Sequence, residues 1–372
     1  MSVACENLER EFAAWLGVRG AVATGFGRGA LWLALEVAEV SGGEVAVPEL
    51  ICAQVAEAVR RAGARPVFYP VRRDLTVDAE EFEAALTPRT RAAIVVHFWG
   101  RVLPAIEELA EICRRRGIFC LEDCALALGA AAGGRRAGTF GAAAVFSFTK
   151  SDWCYGGGMV TSDSESYLGR LRTLREQQQR ARARLAFGYG LLRRVDYAAN
   201  RPRWCAVASL AGPILQDLIF ATSQDFYSQG RMDVTMPEIA ARRALRILRD
   251  LQPTAWRRRG IVLRLRDILG DHAEILLWPQ LDPGETFAFL PLLVRPGGVE
   301  KKSALDLVKA ADRHAVTLRL VWPAYQPAEP GQSREALAWW AEHLAILEVN
   351  PNLRAREVER IGKTLSRLVE KL

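Results

Sequence analysis

The chain has 372 residues, of which half are hydrophobic and a quarter are charged, and its net charge is +7. This length predicts two domains, and this composition is typical of a globular protein that buries a large core. The positive charge modestly favours anionic ligands, but the arginines are scattered along the chain, so we expect no nucleic-acid partner.

The cysteines and the apolar stretches bear on compartment and membrane association. The seven cysteines are odd in number and lack metal-ligand spacing, so we expect reduced thiols in a cytoplasmic protein and no metal site. The N-terminus turns acidic at Glu6 and has no signal-peptide pattern. The most apolar stretch, 204–221, contains Gln216 and Asp217, so we predict no transmembrane segment.

Strand-like and helical patterns alternate along the first 160 residues or so. In chain order, strands are predicted at residues 21–24, 44–47, 65–71, 91–98, 117–121 and 142–148. Helices are predicted at residues 4–16, 30–40, 52–62 and 104–116. This alternation predicts an α/β fold with a mainly parallel sheet covered by helices, and such sheets bind ligands beyond the carboxyl ends of their strands.

The second half of the chain is predicted to form a helical region and then a smaller domain. Residues 183–230 are irregular, and we interpret them as helical arms or a covering insertion. An arginine-rich helix over 242–266, broken at Pro253, links two domains assigned to residues 1–245 and 246–372. The second domain is predicted to have strands at 286–294 and 316–321 and helices at 334–347 and 354–372.

One lysine and one aspartate indicate a cofactor site. Lys150 is the only lysine in the first 300 residues and follows the strand over 142–148, while Asp123 stands at the end of the preceding strand. Lysine, unlike arginine, can lose its proton and form a Schiff base with an aldehyde. Pyridoxal phosphate (PLP) needs such a lysine and a carboxylate at its pyridine nitrogen. Taken singly, Lys150 fits a solvated charge and Asp123 a helix cap, but together they favour a PLP site.

Nine strings in a common order and spacing carry a family resemblance. They are EFAAWLGV (11–18), VP (47–48), GARPVF (63–68), LTPRTRA (86–92), VHFWG (96–100), ED (122–123), GTFG (138–141), FSF (146–148) and KSDWCYGGG (150–158). Together they resemble the DegT/StrS type of PLP-dependent aminotransferases over most of the chain, apart from about 183–230. The resemblance implies PLP fold type I, with a mainly parallel seven-stranded sheet in the large domain and a smaller α+β C-terminal domain.

The resemblance also implies roles for individual residues of the cofactor site. Lys150 would be the catalytic residue, which carries the cofactor and then moves a proton. Asp123 would keep the pyridine nitrogen protonated. The Gly27-Arg28 turn before a helix and the Ser147 hydroxyl would bind the cofactor phosphate, which suits the donors and the dipole of a helix N-terminus. Taken alone, the glycine turn also fits a plain connection between a strand and a helix.

The chain departs from the family pattern around the cofactor. Relatives usually have Ser-Gly-Thr where this chain has Phe26-Gly27-Arg28, and Arg28 is suited to bidentate contact with phosphate. Cys52 takes the place of an aromatic residue that often stacks on the cofactor ring, and Leu126 takes the place of a frequent glutamine. Some relatives replace the lysine by histidine and act as dehydratases, and Lys150 argues against that reaction here.

Four residues are candidates for contact with substrate. His97 follows a buried-looking strand, so it is either structural or reaches cofactor or substrate from the strand end. Arg319 and Trp322 match a small-domain segment that often reaches substrate, and Arg319 would hold a donor carboxylate unless it is structural. Arg231 matches a segment that approaches the partner subunit's cofactor in relatives, although it also fits an ordinary helix-cap region.

The resemblance implies an aminotransferase that moves an amino group from an amino acid donor to a small-molecule keto or aldehyde acceptor. We expect it in sugar or natural-product biosynthesis, as a homodimer with active sites at the subunit interface. Two alternatives remain. One is another reaction on the same cofactor, namely decarboxylation, elimination or carbon–carbon bond formation, which the altered substrate residues motivate. The other is a non-catalytic protein of this fold, which Phe26 and Arg28 motivate.

Overall fold

Two sheets organise the chain in the computed structural model, one of seven strands and one of three. The described residues are 1–151, 154, 156–178, 232–270, 272, 284–294, 303–324 and 328–370. The predicted insertion at 183–230 therefore lies outside the described residues. Within the described residues, none of the helices combines the length and the apolarity that a membrane crossing requires.

The seven-stranded sheet is mainly parallel, as predicted. Its strands are β1 (Gly20–Thr24), β2 (Glu44–Pro48), β3 (Arg65–Tyr69), β4 (Thr90–Val96), β5 (Phe119–Asp123), β8 (Ala143–Ser147) and β9 (Gly158–Ser162), in the order β1-β9-β8-β5-β4-β2-β3. Six of these strands run in the same direction, and β9, between β1 and β8, runs in the opposite one. A two-stranded hairpin, β6 (Ala131–Ala132) with β7 (Arg135–Arg136), follows β5.

Helices cover both faces of this sheet, which explains why most of its strands are apolar throughout. In β1, β2, β8 and β9 every residue is buried, whereas the edge strand β3 buries only Tyr69. The helices of this part are α1 (Val3–Leu16), α2 (Gly27–Val37), α3 (Ala53–Arg61), α4 (Ala79–Ala85), α5 (Ile106–Arg116), α6 (Phe148–Ser151), α7 (Glu165–Glu176) and α8 (Glu238–Arg249).

Local sequence explains where several of these helices begin and end. The Ser2 side chain accepts a hydrogen bond from the Cys5 N–H at the start of α1, and Gly17 ends that helix with φ 85°. Helix α4 was not predicted, although Asp78 caps it by accepting from two backbone N–H groups of the first turn. The arginine-rich segment is broken, but at Asp250 and not at Pro253: α8 ends at Arg249, and Pro253 lies in the first turn of α9 (Leu251–Leu269), where proline is tolerated.

The smaller sheet forms a second core with the long helix α9. Its strands are β10 (Phe289–Leu293), β11 (Leu318–Leu320) and β12 (Leu344–Glu348), all antiparallel in the order β10-β12-β11. Helices α10 (Ala304–Asp312), α11 (Arg334–His343) and α12 (Ala355–Val369) complete this part. Leu251 packs in the first core and Ile261 in the second, so α9 spans both, while the boundary at 245/246 stays a prediction.

The predicted helix over 334–347 was too long. Helix α11 ends at His343, and the apolar residues that follow form β12, the central strand of the smaller sheet. A short apolar run fits a buried helix or a buried strand equally well, and here pairing with β10 and β11 decides in favour of the strand.

Candidate active site

One edge of the large sheet gathers the predicted cofactor residues. In the strand register, Asp123 at the end of β5 lies opposite Val145 of β8. Ser147 at the end of β8 lies opposite Gly158 of β9, and Gly158 lies opposite Thr24 at the end of β1. The carboxyl ends of β1, β5 and β8 therefore meet at the same edge, where parallel sheets commonly bind ligands.

Asp123 is almost fully buried at this edge, with 6% of its surface exposed. Its Oδ1 accepts a hydrogen bond from the Ala125 N–H at 2.9 Å. Burial raises the pKa of the Asp123 carboxyl above its ordinary value, whereas the Ala125 N–H and the charge of Lys150 act to lower it. The site thus holds a carboxylate whose charge is poorly solvated and would gain from a cationic partner.

Lys150 lies on α6, a single helical turn that continues directly from β8. It is exposed, and its charge acts on the Asp123 carboxyl. The start of the turn is fixed by two contacts: the Phe148 N–H donates to the Gly157 carbonyl at 3.1 Å, and the Ser147 and Thr149 hydroxyls lie 3.0 Å apart. Because the strand and its short helix are held in this way, the lysine projects from the same edge as Asp123.

The predicted glycine turn forms the start of α2 and packs against the end of β8. A Cβ atom at Gly27 would lie 2.9 Å from Ser147 Cβ, so glycine is needed for this approach. Gly158 is similarly required, because a Cβ atom there would collide with the Phe26 carbonyl group. Phe26, the N-cap residue of α2, provides no side-chain cap. The start of α2 therefore lies at the sheet edge with no cap from the side chain of its N-cap residue.

Arg28 lies in the first turn of α2 and is buried, with 7% exposure. Its guanidinium carbon is 5.0 Å from the centroid of the Phe26 ring. A buried cation at the positive end of a helix dipole is electrostatically unfavourable, and an anion at the same place would relieve this. Arg28 directly follows Gly27, whose Cβ position lies against Ser147, and its contact with a phosphate stays a prediction.

Cys52 and Leu126 also lie on segments that follow strand ends at this edge. Cys52 is the partly exposed N-cap residue of α3, shortly after β2. Leu126 is buried in the turn after β5. Their contacts with a cofactor stay predictions, because the structure establishes only their place in the fold.

The substrate candidates fall in different surroundings. Trp322 stacks on Trp99, which follows β4, with ring centroids 6.1 Å apart and planes at 17°. Arg319 lies on β11, where its guanidinium is 3.6 Å from a Glu348 carboxylate oxygen. Trp322 thus reaches the end of β4, whereas Arg319 has an acidic neighbour within the smaller sheet. Arg231 lies outside the described residues.

His97 is fully buried and belongs to a hydrogen-bond network that the sequence did not reveal. Its Nε2 lies 2.8 Å from a carboxylate oxygen of the fully buried Glu122, and its Nδ1 accepts from the Leu103 N–H at 3.0 Å. Three further donors to Glu122 are the N–H groups of Gly138 at 2.7 Å and of Phe140 and Gly141, each at 2.6 Å. The only sequence signal was a second carboxylate, next to Asp123, at the end of an apolar run.

One cluster among the described residues has the composition of a metal site. Ligand atoms of His97, Glu122 and Cys124 lie within 4.8 Å of one another, and all three residues are buried. Hydrogen bonds already engage the imidazole and the carboxylate. Burial, and then the charges of Glu122 and Asp123, raise the pKa of the Cys124 thiol well above its usual range. The cluster is therefore better explained as a hydrogen-bonded part of the core than as a cation site.

A doubly covered, mainly parallel sheet with a lysine and a buried carboxylate at one edge is the architecture of PLP fold type I. A sequence model of the DegT/DnrJ/EryC1/StrS aminotransferase family matches residues 3–192, about half of the chain. The chain therefore belongs to this family, and the predicted family membership is confirmed.

Curated relatives match less than half of the chain. A dTDP-3-amino-3,4,6-trideoxy-alpha-D-glucose transaminase from Micromonospora megalomicea subsp. nigra is 43% identical over 169 residues, which cover 43% of this chain and 44% of the relative. A GDP-perosamine synthase from Caulobacter vibrioides is 36% identical over 175 residues, which cover 46% of this chain and 47% of the relative. The matches thus span less than half the length of these relatives.

Solved structures of related enzymes extend the similarity in fold to the whole chain. DesV from S. venezuelae has a TM-score of 0.75 at 23% identity, and the match covers 100% of this chain and 91% of DesV. PseC, a Helicobacter pylori aminotransferase involved in the biosynthesis of pseudoaminic acid, has a TM-score of 0.77 at 16% identity, with 100% and 92% covered. These likenesses confirm the predicted fold.

Proposed function

We propose that this protein is a PLP-dependent aminotransferase that moves an amino group from an amino acid donor to a keto or aldehyde acceptor in sugar or natural-product biosynthesis. The observation that carries the proposal is that Lys150 and the buried Asp123 lie at one sheet edge with the uncapped start of α2. The names of the curated relatives support a sugar as the acceptor.

The residues at this edge fit PLP. The buried carboxylate of Asp123, whose pKa is raised by burial, gains a cationic partner in a protonated pyridine nitrogen. The first turn of α2 has backbone N–H groups to which its N-cap residue, Phe26, gives no side-chain cap, and the N–H groups of a helix N-terminus bind phosphate well. The Ser147 hydroxyl and the Arg28 guanidinium are the two side chains proposed to join them.

Each side chain then has a distinct task. PLP, when bound, supplies an electron sink for a carbanion at the donor's α-carbon. Asp123 keeps a proton on the pyridine nitrogen, which its buried position beside the sheet edge allows. Lys150 is exposed on its short helix, so its Nζ is free to hold the cofactor aldehyde and later to remove the proton from the donor's α-carbon.

The surroundings of the cofactor residues suggest where substrate binds. We assign the acceptor to the side of the edge that Trp99 and Trp322 cover, because stacked aromatic faces provide an apolar wall near the strand ends. Arg319 is proposed to meet a substrate carboxylate in competition with Glu348. We also propose a cytoplasmic homodimer, in which Arg231 of each chain approaches the partner's active site.

Borohydride reduction of the PLP-loaded protein, followed by peptide mapping, tests the assignment of Lys150. The purified chain should take up PLP and absorb as a yellow protein, and borohydride should then fix the cofactor on the peptide that contains Lys150. Lys150→Arg keeps the charge but should abolish this fixation. Lys363→Arg, at an exposed position on α12, is the matched control and should behave like the parent. Fixation at another lysine, or none in the parent after PLP addition, would contradict the proposal.

A keto acid then separates aminotransfer from other reactions on this cofactor. Incubation with an amino acid donor should convert the bound cofactor to its amine form, and a keto acid should restore the original absorbance. A parent protein that holds PLP on Lys150 but shows neither change with a panel of donors and keto acids would favour a different PLP reaction.

A further inference from the structure

The network around Glu122 has no part in the roles assigned so far. Four hydrogen bonds converge on its two carboxylate oxygens, one from His97 and three from the backbone of residues 138–141. A fully buried carboxylate costs free energy, and a network of this kind is often no more stable than well-packed apolar residues. Stability of the core is therefore an incomplete explanation for this arrangement.

The hydrogen bonds define the protonation of the His97 ring. Its Nδ1 accepts the Leu103 N–H, so this nitrogen carries no proton. In the neutral ring the proton is then on Nε2, which donates to Glu122 at 2.8 Å. The imidazole is thus held in one tautomer and one orientation between a backbone amide and a buried carboxylate.

The same network is joined directly to the strand end that carries Asp123. The His97 backbone N–H donates to the Asp123 carbonyl at 3.0 Å. Glu122 and Asp123 are consecutive residues of β5, so their side chains point to opposite faces of the sheet. A contact that fixes Glu122 on one face therefore fixes the position from which Asp123 projects on the other.

The network also reaches the segment that carries Lys150. The loop of residues 138–141, held by Glu122, leads into β8, and β8 continues into α6. One carboxylate thus ties together the end of β4, the strand β5 and the approach to β8. His97 follows β4 and Asp123 ends β5, while Lys150 lies on α6, at the far end of β8 from the loop that Glu122 holds.

We propose that Glu122 and His97 are positioning residues, which hold Asp123 in the place where it binds the pyridine nitrogen of the cofactor. This inference rests on the proposed function. Of the two alternatives for His97, it favours the structural one over contact with cofactor or substrate, since both ring nitrogens are engaged in the core. Partners that orient a ligating side chain commonly change ligand affinity by roughly 10- to 100-fold when they are removed, as at metal sites.

Two substitutions divide the functions of the His97 ring. Glutamine places an amide nitrogen where Nε2 lies, so His97→Gln can still donate to Glu122 but does not accept from Leu103. Asparagine places an oxygen where Nδ1 lies, so His97→Asn can still accept from Leu103 but loses the bond to Glu122. If the link to Glu122 positions Asp123, PLP affinity in a titration should fall about 10-fold or more in His97→Asn and change by no more than about 3-fold in His97→Gln.

A stability control separates positioning from general loss of structure. Glu44 is a buried carboxylate at the start of β2, at the opposite edge of the sheet, and accepts from the Thr87 hydroxyl at 2.6 Å. Glu44→Gln should lower the melting temperature of the apo protein without lowering its affinity for PLP. His97→Asn should also change the pH dependence of the absorbance of the PLP-loaded protein, which a loss of core stability alone does not alter.

The parent protein offers a measurement that needs no variant. The chain has four histidines, so ¹⁵N-histidine labelling gives few ring signals. The His97 signals should show a neutral ring protonated at Nε2, and they should shift when PLP is added. Equal PLP affinity in His97→Asn and His97→Gln would overturn the inference and leave the proposed function in place. His97 ring signals that do not shift when PLP is added would have the same consequence. A parent chain that takes up no PLP would overturn both.

Discussion

The substitution Asp123→Asn should have opposite effects on the apo protein and on cofactor binding. Asparagine has nearly the same shape as aspartate, and its Oδ1 can still accept the Ala125 N–H, which lies 2.9 Å from the present oxygen. Because the two side chains are of nearly equal size, the change removes a charge from a buried position without opening a cavity. The fold should therefore be kept, and every difference should trace to the lost charge.

The effect on the apo protein depends on pH. Burial raises the pKa of Asp123 in the folded chain above the value of about 3.9 expected in an unfolded one, so the folded state binds this proton more tightly. The resulting stability is fully present below about pH 4 and is lost as the pH rises through the folded-state pKa. Asparagine cannot ionise, so the melting temperature of the variant relative to the parent should increase from about pH 4 to about pH 8.

The magnitudes follow from the same charge. Each unit by which the pKa is raised corresponds to about 1.4 kcal/mol of stability that ionisation removes. A charge-assisted hydrogen bond contributes about 1.5–3 kcal/mol, so loss of the bond to the pyridine nitrogen should lower the affinity for PLP by about 10- to 100-fold. Turnover should fall further, because the neutral amide does not hold the proton that makes the ring an electron sink.

Differential scanning calorimetry of the apo proteins and a PLP titration measure the two effects. Asp267→Asn, at an exposed position of α9, is the control and should leave both unchanged. A variant that binds PLP and turns over like the parent would refute the cofactor role and leave Asp123 as a structural cap. A melting-temperature difference that does not grow with pH would refute the argument from burial.

Three further predictions concern the phosphate region and the assembly. Gly27→Ala should weaken PLP binding and lower the free energy of unfolding by roughly 1–3 kcal/mol, because its Cβ would lie 2.9 Å from Ser147 Cβ. The control is Gly169→Ala, which should be tolerated because no atom lies within 4 Å of its Cβ. Equal PLP affinity and stability of the two variants would contradict the close approach. Arg28→Ala should reduce PLP affinity more than it lowers the apo melting temperature, and unchanged affinity would mean that the guanidinium points away from the phosphate. Light scattering should give twice the chain mass of 41.2 kDa, and an active, PLP-loaded monomer would rule out an interface site.

The residues at the carboxyl ends of the strands could be predicted, because each strand ends where its apolar run ends. The apolar runs before Asp123 and before Lys150 are short and contiguous, and parallel strands bring their carboxyl ends to one edge. What local patterns do not encode is pairing at a distance. Strand β9 enters the sheet antiparallel between β1 and β8, and this arrangement brings Gly158 against the Phe26 carbonyl group. The need for glycine there became apparent only from the packed strands.

Glu122 shows why the supporting residues escaped the sequence analysis. Alternation along β5 predicts that Glu122 faces away from Asp123, but its donors come from a loop 16–19 residues further along and from His97, which follows β4. No periodicity links these positions, so the sequence showed two adjacent acidic residues but not the four hydrogen bonds that Glu122 receives. His97 was correctly placed at a strand end, but the direction of its ring depends on these contacts.

The turn after β4 shows how far the smaller part of the chain influences this edge. Trp99 has φ 48° and the next residue, Gly100, has φ 96°. Residues other than glycine rarely adopt a positive φ. The turn is held from the other core, because the Thr286 N–H donates to the Gly100 carbonyl at 2.9 Å and a Cβ atom at Gly100 would lie 2.6 Å from the Phe287 nitrogen. Strain of this kind persists only where surrounding contacts impose it. The backbone next to His97 therefore depends on packing against a segment that is nearly 190 residues away along the chain.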